Sequence, residues 1–195
     1  MGLGNAQKAR LLNSQALACY QQALQVLGGE EKKKKVGREN AEAISTLRVN
    51  IALVHMQEGD MESAERMLRL ASMHCSKSIS GDILHNLSCC LFSRGKQKEA
   101  MHAMRMTLKL RTEDFGAGHL LTGNAAHDLA NILLALSLDK TGEEKKKRRA
   151  EAMELLYLAK NIRLRFLGGK HPDTLQTEAS IKRGKEQGYD LSIRA

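Results

Sequence analysis

Histidine and cysteine are the residues of this sequence whose side chains could share a metal ion. His85 and Cys89 are separated by one helical turn, so a helix would place both on the same face. A metal site needs further ligands, however, and the sequence offers no second pair at a suitable spacing; His74 and Cys75 are merely adjacent. We therefore expect these residues to have packing or surface roles, and we predict no metal ion or other cofactor.

Catalytic motifs are also missing from the sequence. No serine, histidine and acidic residue occur in the sequence context of a known nucleophile. The segment Gly168-Gly169-Lys170 lacks the remainder of a phosphate-binding loop. The sequence therefore predicts a protein that is not an enzyme.

Positive charge is concentrated in two short runs, in a chain whose formal net charge is +9. Paired glutamates, Glu30-Glu31 and Glu143-Glu144, precede the two runs, which suits either a solvated loop or the start of a helix. We assign both runs to loops that could meet an acidic surface: Lys32, Lys33, Lys34 and Lys35, then Lys145, Lys146, Lys147, Arg148 and Arg149. Aromatic residues make up only 3% of the chain, so any nucleic acid would be bound through its phosphates rather than by base stacking.

The elements that position these residues are helices. The chain has 195 residues, a single proline, and abundant alanine, leucine, glutamate and lysine, while strand-forming residues never alternate with polar ones. No apolar stretch approaches the ~20 residues that span a bilayer, and no secretory signal is evident. Four cysteines without regular spacing suit a reducing compartment. We therefore expect an all-α intracellular protein, cytoplasmic in the first instance, with a cytoskeletal or ciliary association left open.

An internal repeat organises these helices. A glycine and an alanine recur together: the number of residues from Gly59 to Gly95 equals the number from Ala64 to Ala100. After the alanine comes a stripe of small, large and small residues at one helical face, in four copies. The copies are Ala16, Tyr20, Ala23; Ala64, Leu68, Ala71; Ala100, Met104, Thr107; and Ala152, Leu156, Ala159. Each stripe belongs to the second helix, B, of an antiparallel pair whose first helix, A, carries its own stripe at Ile51-Ala52, Leu87-Ser88 or Leu129-Ala130.

This pattern resembles the tetratricopeptide repeat, and the segment Leu167 to Thr174 resembles the L-G-x-x-H-P-D-T loop of kinesin-light-chain-type repeats. Phe115 to Thr122 is a degraded version of the same loop. Gly168 can terminate a helix in the left-handed conformation, Pro172 blocks its continuation, and Asp173 or Thr174 can cap the next helix. The resemblance implies an all-α, right-handed superhelical solenoid of antiparallel helix pairs, with about eight helices.

The same resemblance implies a concave groove lined by one face of each A helix, where Asn50 and Asn86 occupy a position at which the family tends to carry asparagine. Polar side chains along this face could bind an extended peptide backbone, or the asparagines could only bridge adjacent A helices. The groove candidates are Asn50, Leu53 and Gln57; His85, Asn86 and Cys89; and His127, Asp128 and Asn131.

The organisation that follows is one domain over residues 1–195. A leading B-type helix spans 5–27, helix pairs span 38–75, 79–112 and 120–167, and a capping helix spans 173–187. The final A-type segment departs from the repeat, because Lys182 stands where the other A helices have Ala52, Ser88 and Ala130.

Two functions fit this organisation. The first is a scaffold or adaptor that binds an acidic or extended segment of a protein partner in the groove. The second is a structural subunit of a ciliary, cytoskeletal or ribonucleoprotein assembly that docks through its basic loops.

Overall fold

The computed structural model describes residues 2–31, 38–73, 75, 77–138 and 141–186. Within these ranges the chain forms eight helices and no strand, which confirms the all-α prediction. The helices are α1 (Gly2–Glu31), α2 (Arg38–Glu58), α3 (Met61–Ser72), α4 (Lys77–Ser93), α5 (Gln97–Phe115), α6 (Leu120–Ser137), α7 (Gly142–Leu167) and α8 (Pro172–Glu186). Their bounds lie within a few residues of the predicted segments, and the assignment of all of them to a single domain stays a prediction.

The helices group into two compact units, residues 1–96 and 97–195. In the first unit α1 packs on α2, α2 on α3, and α3 on α4, with a further contact between α2 and α4. In the second unit α5 packs on α6, α6 on α7, and α7 on α8, with a further contact between α6 and α8. Each unit is thus a succession of neighbouring helices along the chain.

The small-large-small stripe forms the core, because small side chains let a neighbouring helix approach and the large one fills the space between them. In α3, Ala64, Leu68 and Ala71 are fully buried. The same is true of the corresponding residues of α5 and α7, which are Ala100, Met104 and Thr107, and Ala152, Leu156 and Ala159. In α1 the equivalent residues, Ala16, Tyr20 and Ala23, are only half-buried.

A tight turn separates α2 from α3. Gly59 has a φ of 82°, in the left-handed region that side chains other than glycine rarely adopt. Asp60 then caps α3, its carboxylate accepting a hydrogen bond of 3.0 Å from the Ser63 amide. This hydrogen bond is the largest of the influences that lower the pKa of Asp60.

Histidines cap both α6 and α8, and at α8 the cap is His171 rather than the predicted Asp173 or Thr174. The imidazole Nδ1 of His171 accepts a hydrogen bond of 3.2 Å from the Asp173 amide. His119 does the same for the Leu121 amide at the start of α6, also at 3.2 Å. Thr174 is buried instead, so it cannot serve as a surface cap. Gly168 ends α7 with a φ of 84°, which confirms its predicted helix-terminating role.

The A helix at the end of the described chain differs from the others at one position. Ala52, Ser88 and Ala130 are fully buried in α2, α4 and α6. Lys182, their counterpart in α8, is exposed, as is the neighbouring Arg183. A following helix could not approach α8 here as closely as helices approach the small residues of the other A helices.

Candidate functional site

The groove candidates of α2 lie on its accessible side. Leu53 is 37% exposed, Gln57 is exposed, and Asn50 is half-buried. Their neighbours Ile51 and Ala52 point into the core. This alternation follows from helical geometry, since residues one and two positions apart face different directions.

The candidates of α4 form a second row in the same unit. His85, Asn86 and Cys89 are half-buried. The adjacent Cys90 is fully buried, and burial, followed by the nearby charge of Glu65, raises the pKa of its thiol to about 11. One cysteine of the adjacent pair therefore belongs to the core and the other to the partly exposed face. Since α2 and α4 contact each other, their two rows belong to one compact body.

The candidates of α6 behave differently, and His127 corrects the prediction. Its side chain is only 2% exposed, because it packs in the interior of the second unit, so it cannot contact a partner directly. The Asn131 amide lies 2.9 Å from His127 Nε2 and donates to the His127 carbonyl at 3.1 Å. Burial, and then the positive charge of Arg163, lowers the pKa of His127 to about 4. Asp128 and Asn131 remain half-buried.

Arg163 of α7 packs against part of the α6 face, so that part contacts the protein itself. Its guanidinium donates to Asn124 Oδ1 at 2.9 Å, to the Asp173 carbonyl at 2.9 Å and to Thr177 Oγ1 at 2.8 Å. This one side chain therefore joins α6, α7 and α8. Burial lowers the pKa of Arg163, although Asp173 and Asp128 oppose that effect.

A buried carboxylate in the first unit was missed by the sequence analysis. Glu65 of α3 is 4% exposed and pairs with three cations. Arg69 donates to it at 2.9 Å, Lys96 at 2.9 and 3.1 Å, and Arg94 also donates to it. The network links α3 to the segment after α4, and only the recurrence of basic residues at 94 and 96 could have hinted at it.

The second basic run lies in a helix, which corrects its assignment to a loop. Residues 145–149 belong to the first turns of α7, where Lys146 pairs with Glu143 at 2.9 Å and Arg148 with Glu144 at 2.6 Å. The glutamates favour helix here, because they lie at the positive end of its dipole and one turn before the cations. The run Lys32 to Lys35 lies outside the described residues.

Two residues of this run serve the fold. Arg149 is buried, and its Nε donates to Ser137 Oγ at 3.3 Å. Arg148 donates to the Leu136 carbonyl at 3.3 Å. Both interactions place positive charge at the carboxyl end of α6, where a helix dipole favours it. Of the five basic residues, Lys146 and Lys147 are the ones classed as exposed.

Another group of lysines surrounds a surface pocket of about 300 Å³ between α7 and α8. Tyr157 and Ile181 form its apolar part, and Lys160, Lys182 and Lys185 surround them. Glu178 pairs with Lys160 at 2.9 Å and so neutralises part of this positive charge.

Metal binding and membrane insertion find no support in the part of the chain that the structure describes. No three histidine, cysteine or acidic side chains there gather into a group that could hold a metal ion. None of the described helices is both long enough and apolar enough to cross a bilayer.

Comparisons with known proteins agree with the repeat geometry. Residues 81–120, which comprise most of α4 and all of α5, match the family model of the tetratricopeptide repeat. The fold is that of the tetratricopeptide-repeat proteins. No curated protein has a significantly similar sequence.

Solved structures with this fold include kinesin-light-chain-like proteins. One is BtubC (BKLC) from P. vanneervenii, with a TM-score of 0.67 and 14% identity over 92% of this chain and 68% of that chain. Another is a putative kinesin light chain from Podosopora anserina with nearly identical TPR-like repeats, with a TM-score of 0.59 and 16% identity over 93% of this chain and 86% of that chain. These similarities confirm the predicted helical-repeat fold.

Proposed function

We propose that the protein is a non-catalytic scaffold that binds an extended segment of a protein partner on the A-helix face of its first unit. This face consists of Asn50, Leu53 and Gln57 on α2 and His85, Asn86 and Cys89 on α4. Tetratricopeptide folds serve generally as protein-interaction scaffolds, which supports the general part of the proposal.

The observation that carries the proposal is the accessible leucine among polar neighbours. Leu53 is 37% exposed, whereas Ile44, Ile51 and Val54 of the same helix are buried and Leu47, Val49 and Met56 are half-buried. Gln57 is exposed one turn further along, and Asn50 precedes Leu53 on the same side. An apolar contact flanked by amides suits a peptide, because the leucine can bury one side chain while the amides bind the peptide backbone.

The composition of this face does not favour an acidic partner. Positive charge in the second unit surrounds the pocket between α7 and α8, and the exposed glutamates of α7 neutralise part of its basic run. The six residues of the proposed face include no lysine or arginine. The scaffold proposal therefore does not depend on an acidic partner, and docking through a basic loop at 145–149 loses its premise.

A photo-crosslinking experiment in cells of the native source tests the proposal. A benzophenone amino acid replaces Leu53 in one variant and Leu70 of α3 in the matched control, because the two leucines are almost equally exposed, at 37% and 38%. We expect a discrete crosslinked partner from position 53 that is absent from position 70, and its yield should fall several-fold when Asn50 and Asn86 are replaced by alanine. Equal crosslinking from both positions, or a yield unchanged by the alanine substitutions, would contradict the proposal.

A further inference from the structure

The pocket between α7 and α8 combines an apolar part with several amino groups, and we call it the lysine pocket. Its lining residues are Tyr157, Lys160, Glu178, Ile181, Lys182 and Lys185. Ile181 is buried and Tyr157 is half-buried, whereas Lys182 and Lys185 are exposed. The volume of about 300 Å³ lies at the lower end of the range for small-molecule sites. Such a pocket suits a small ligand that has both an apolar part and a negative charge.

The lining of the lysine pocket does not suit a packed apolar helix. Lys182 stands at the position that small residues occupy in the other A helices, which are Ala52, Ser88 and Ala130. An ammonium group covered by apolar side chains would lose its hydration without gaining an ion pair. The charge of the pocket, rather than its accessibility, therefore indicates what it binds.

The three ammonium groups of the lysine pocket differ in how far they are already paired. Lys160 is paired with Glu178 at 2.9 Å. Lys182 is only loosely paired, because its Nζ lies 3.9 Å from Glu186 Oε1 and the two side chains are 79% and 61% exposed. Lys185 forms no ion pair with any residue that the structure describes. Two of the three ammonium groups are therefore available to an anion.

The charge and the donor type of the lining favour a phosphate group. Three lysines and one glutamate give the lining a formal charge of +2. A phosphomonoester carries a charge of about −1.5 to −2 at pH 7, whereas a carboxylate carries a single negative charge. A planar carboxylate is matched best by the fork of an arginine, and the lining contains none. Lysines act as point charges with rotatable donors, which suits the three oxygens of a phosphate.

The apolar part of the lysine pocket favours a ring as the rest of the ligand. An aromatic ring can pack against the phenol ring of Tyr157 in an offset or edge-to-face arrangement. Ile181 adds an aliphatic surface beside it. The hydroxyl of Tyr157 has no hydrogen-bond partner among the described residues, so it can donate to a phosphate oxygen.

We propose that the lysine pocket binds a small phosphomonoester whose phosphate is attached to a ring. Lys182 and Lys185 hold the phosphate, and the ring lies against Tyr157 and Ile181. The site belongs to the second unit and is independent of the partner-binding face proposed in the first unit. Because the amino groups are solvated and must be ordered on binding, we expect a dissociation constant on the order of 0.1–1 mM at low salt.

Nuclear magnetic resonance of the full chain, labelled with ¹⁵N and titrated with phenyl phosphate at about 50 mM salt, tests the proposal. We expect saturable shifts of the backbone amides of residues 157–160 and 178–185, with one binding site. Phenyl sulfate keeps the ring and the tetrahedral group but carries one negative charge, and inorganic phosphate lacks the ring. Each should bind at least about threefold more weakly than phenyl phosphate.

Three variants test the roles of individual charges. Lys185→Gln should weaken the binding of phenyl phosphate about fivefold, because it removes the unpaired ammonium group. Lys147→Gln is the matched control, since Lys147 of α7 is also exposed and has no ion-pair partner within the described residues, and it should leave the affinity within about 1.5-fold. Glu178→Gln should tighten binding about threefold, because it removes the negative charge of the lining and releases Lys160. A damaged fold cannot explain tighter binding.

Four outcomes would overturn the proposal. The first is the absence of saturable shifts up to about 10 mM phenyl phosphate. The second is an equal loss of affinity in Lys147→Gln and Lys185→Gln, which would indicate general attraction to a chain of formal charge +9. The third is weaker binding by Glu178→Gln. The fourth is a short glutamate peptide that shifts the same amides at lower concentration than phenyl phosphate, which would assign the pocket to an acidic segment of a protein.

Discussion

The buried carboxylate of Glu65 gives a direct test of how the first unit is held together. Glu65→Gln keeps the shape of the side chain but removes its charge, which leaves Arg69, Arg94 and Lys96 without their common acceptor charge. Burial by itself raises the pKa of Glu65, yet hydrogen bonds from Lys96, Arg69 and Arg94 outweigh it and bring the pKa down to about 2. The carboxylate is therefore more stable as an anion in the folded protein than in the unfolded chain.

The size of this effect follows from the pKa difference. A carboxyl group shifted from 4.5 to about 2 corresponds to roughly 3 kcal/mol of folding free energy at neutral pH. The cations that cover Glu65 are partly exposed, Arg69 by 47% and Lys96 by 37%, so water and salt screen the network. We therefore expect Glu65→Gln to lower the free energy of unfolding by about 1–2 kcal/mol.

The sign of the pH dependence is also determined. Because the folded-state pKa is the lower one, the stabilisation is fully present above about pH 4.5 and is lost as the pH falls towards about 2. Urea denaturation at a series of pH values, followed by circular dichroism, should show this loss in the wild type and a smaller loss in Glu65→Gln. Amide hydrogen exchange should locate the weakening in α3 and α4.

The control for this experiment is Glu62→Gln. Glu62 lies 3.9 Å from Arg94 and its side chain is 66% exposed, so we expect a change of less than about 0.5 kcal/mol. If Glu65→Gln were as stable as Glu62→Gln at neutral pH, or if its acid profile matched that of the wild type, the reasoning from burial and pairing would be refuted.

Two further predictions concern the second unit. Burial, and then the charge of Arg163, lower the pKa of His127, so between about pH 6.5 and about pH 4 the unfolded chain binds a proton at this residue that the folded chain does not. The free energy of unfolding should therefore fall as the pH drops through this range, by at most about 3 kcal/mol. In urea titrations His127→Asn should remove this pH dependence, whereas replacement of the exposed His102 should retain it. Gly123→Ala should lower the melting temperature, because the added Cβ would lie 2.9 Å from Cγ2 of the β-branched Ile162. Such overpacking costs about 1–3 kcal/mol, which outweighs the helix-propensity gain of about 1 kcal/mol. Gly118→Ala, which meets no atom within 4 Å, is its control in calorimetry; a Gly123→Ala protein no less stable than the Gly118→Ala protein would show that Ile162 yields without cost.

The helical repeat could be predicted from the sequence because it rests on local periodicity. The positions of Ala64, Leu68 and Ala71 define a helix face whatever lies opposite, and Gly59 defines the turn through its own backbone preference. Such features depend on residues that are only a few positions apart in the sequence, so they can be recognised without knowledge of the fold.

The missed role of Glu65 and the wrong prediction for His127 both involve residues that are distant in sequence. Glu65 looks like a surface charge until α3 brings it to Arg94 and Lys96, and His127 looks like a groove residue until α7 brings Arg163 over it. The pattern of polar residues in an A helix indicates which side chains do not pack into the apolar core. It does not distinguish a side chain that meets solvent from one that meets a buried arginine of the next helix.

The lysine at position 182 has a consequence for protein engineering. Repeat proteins are extended by fusing further helix pairs to an end, and the new B helix must then lie against the small residue of the preceding A helix. At α8 such a fusion would press an apolar stripe onto an ammonium group. Designers who wish to lengthen the array from α8 should first restore alanine at this position, or place an aspartate opposite it and accept a wider spacing between the helices.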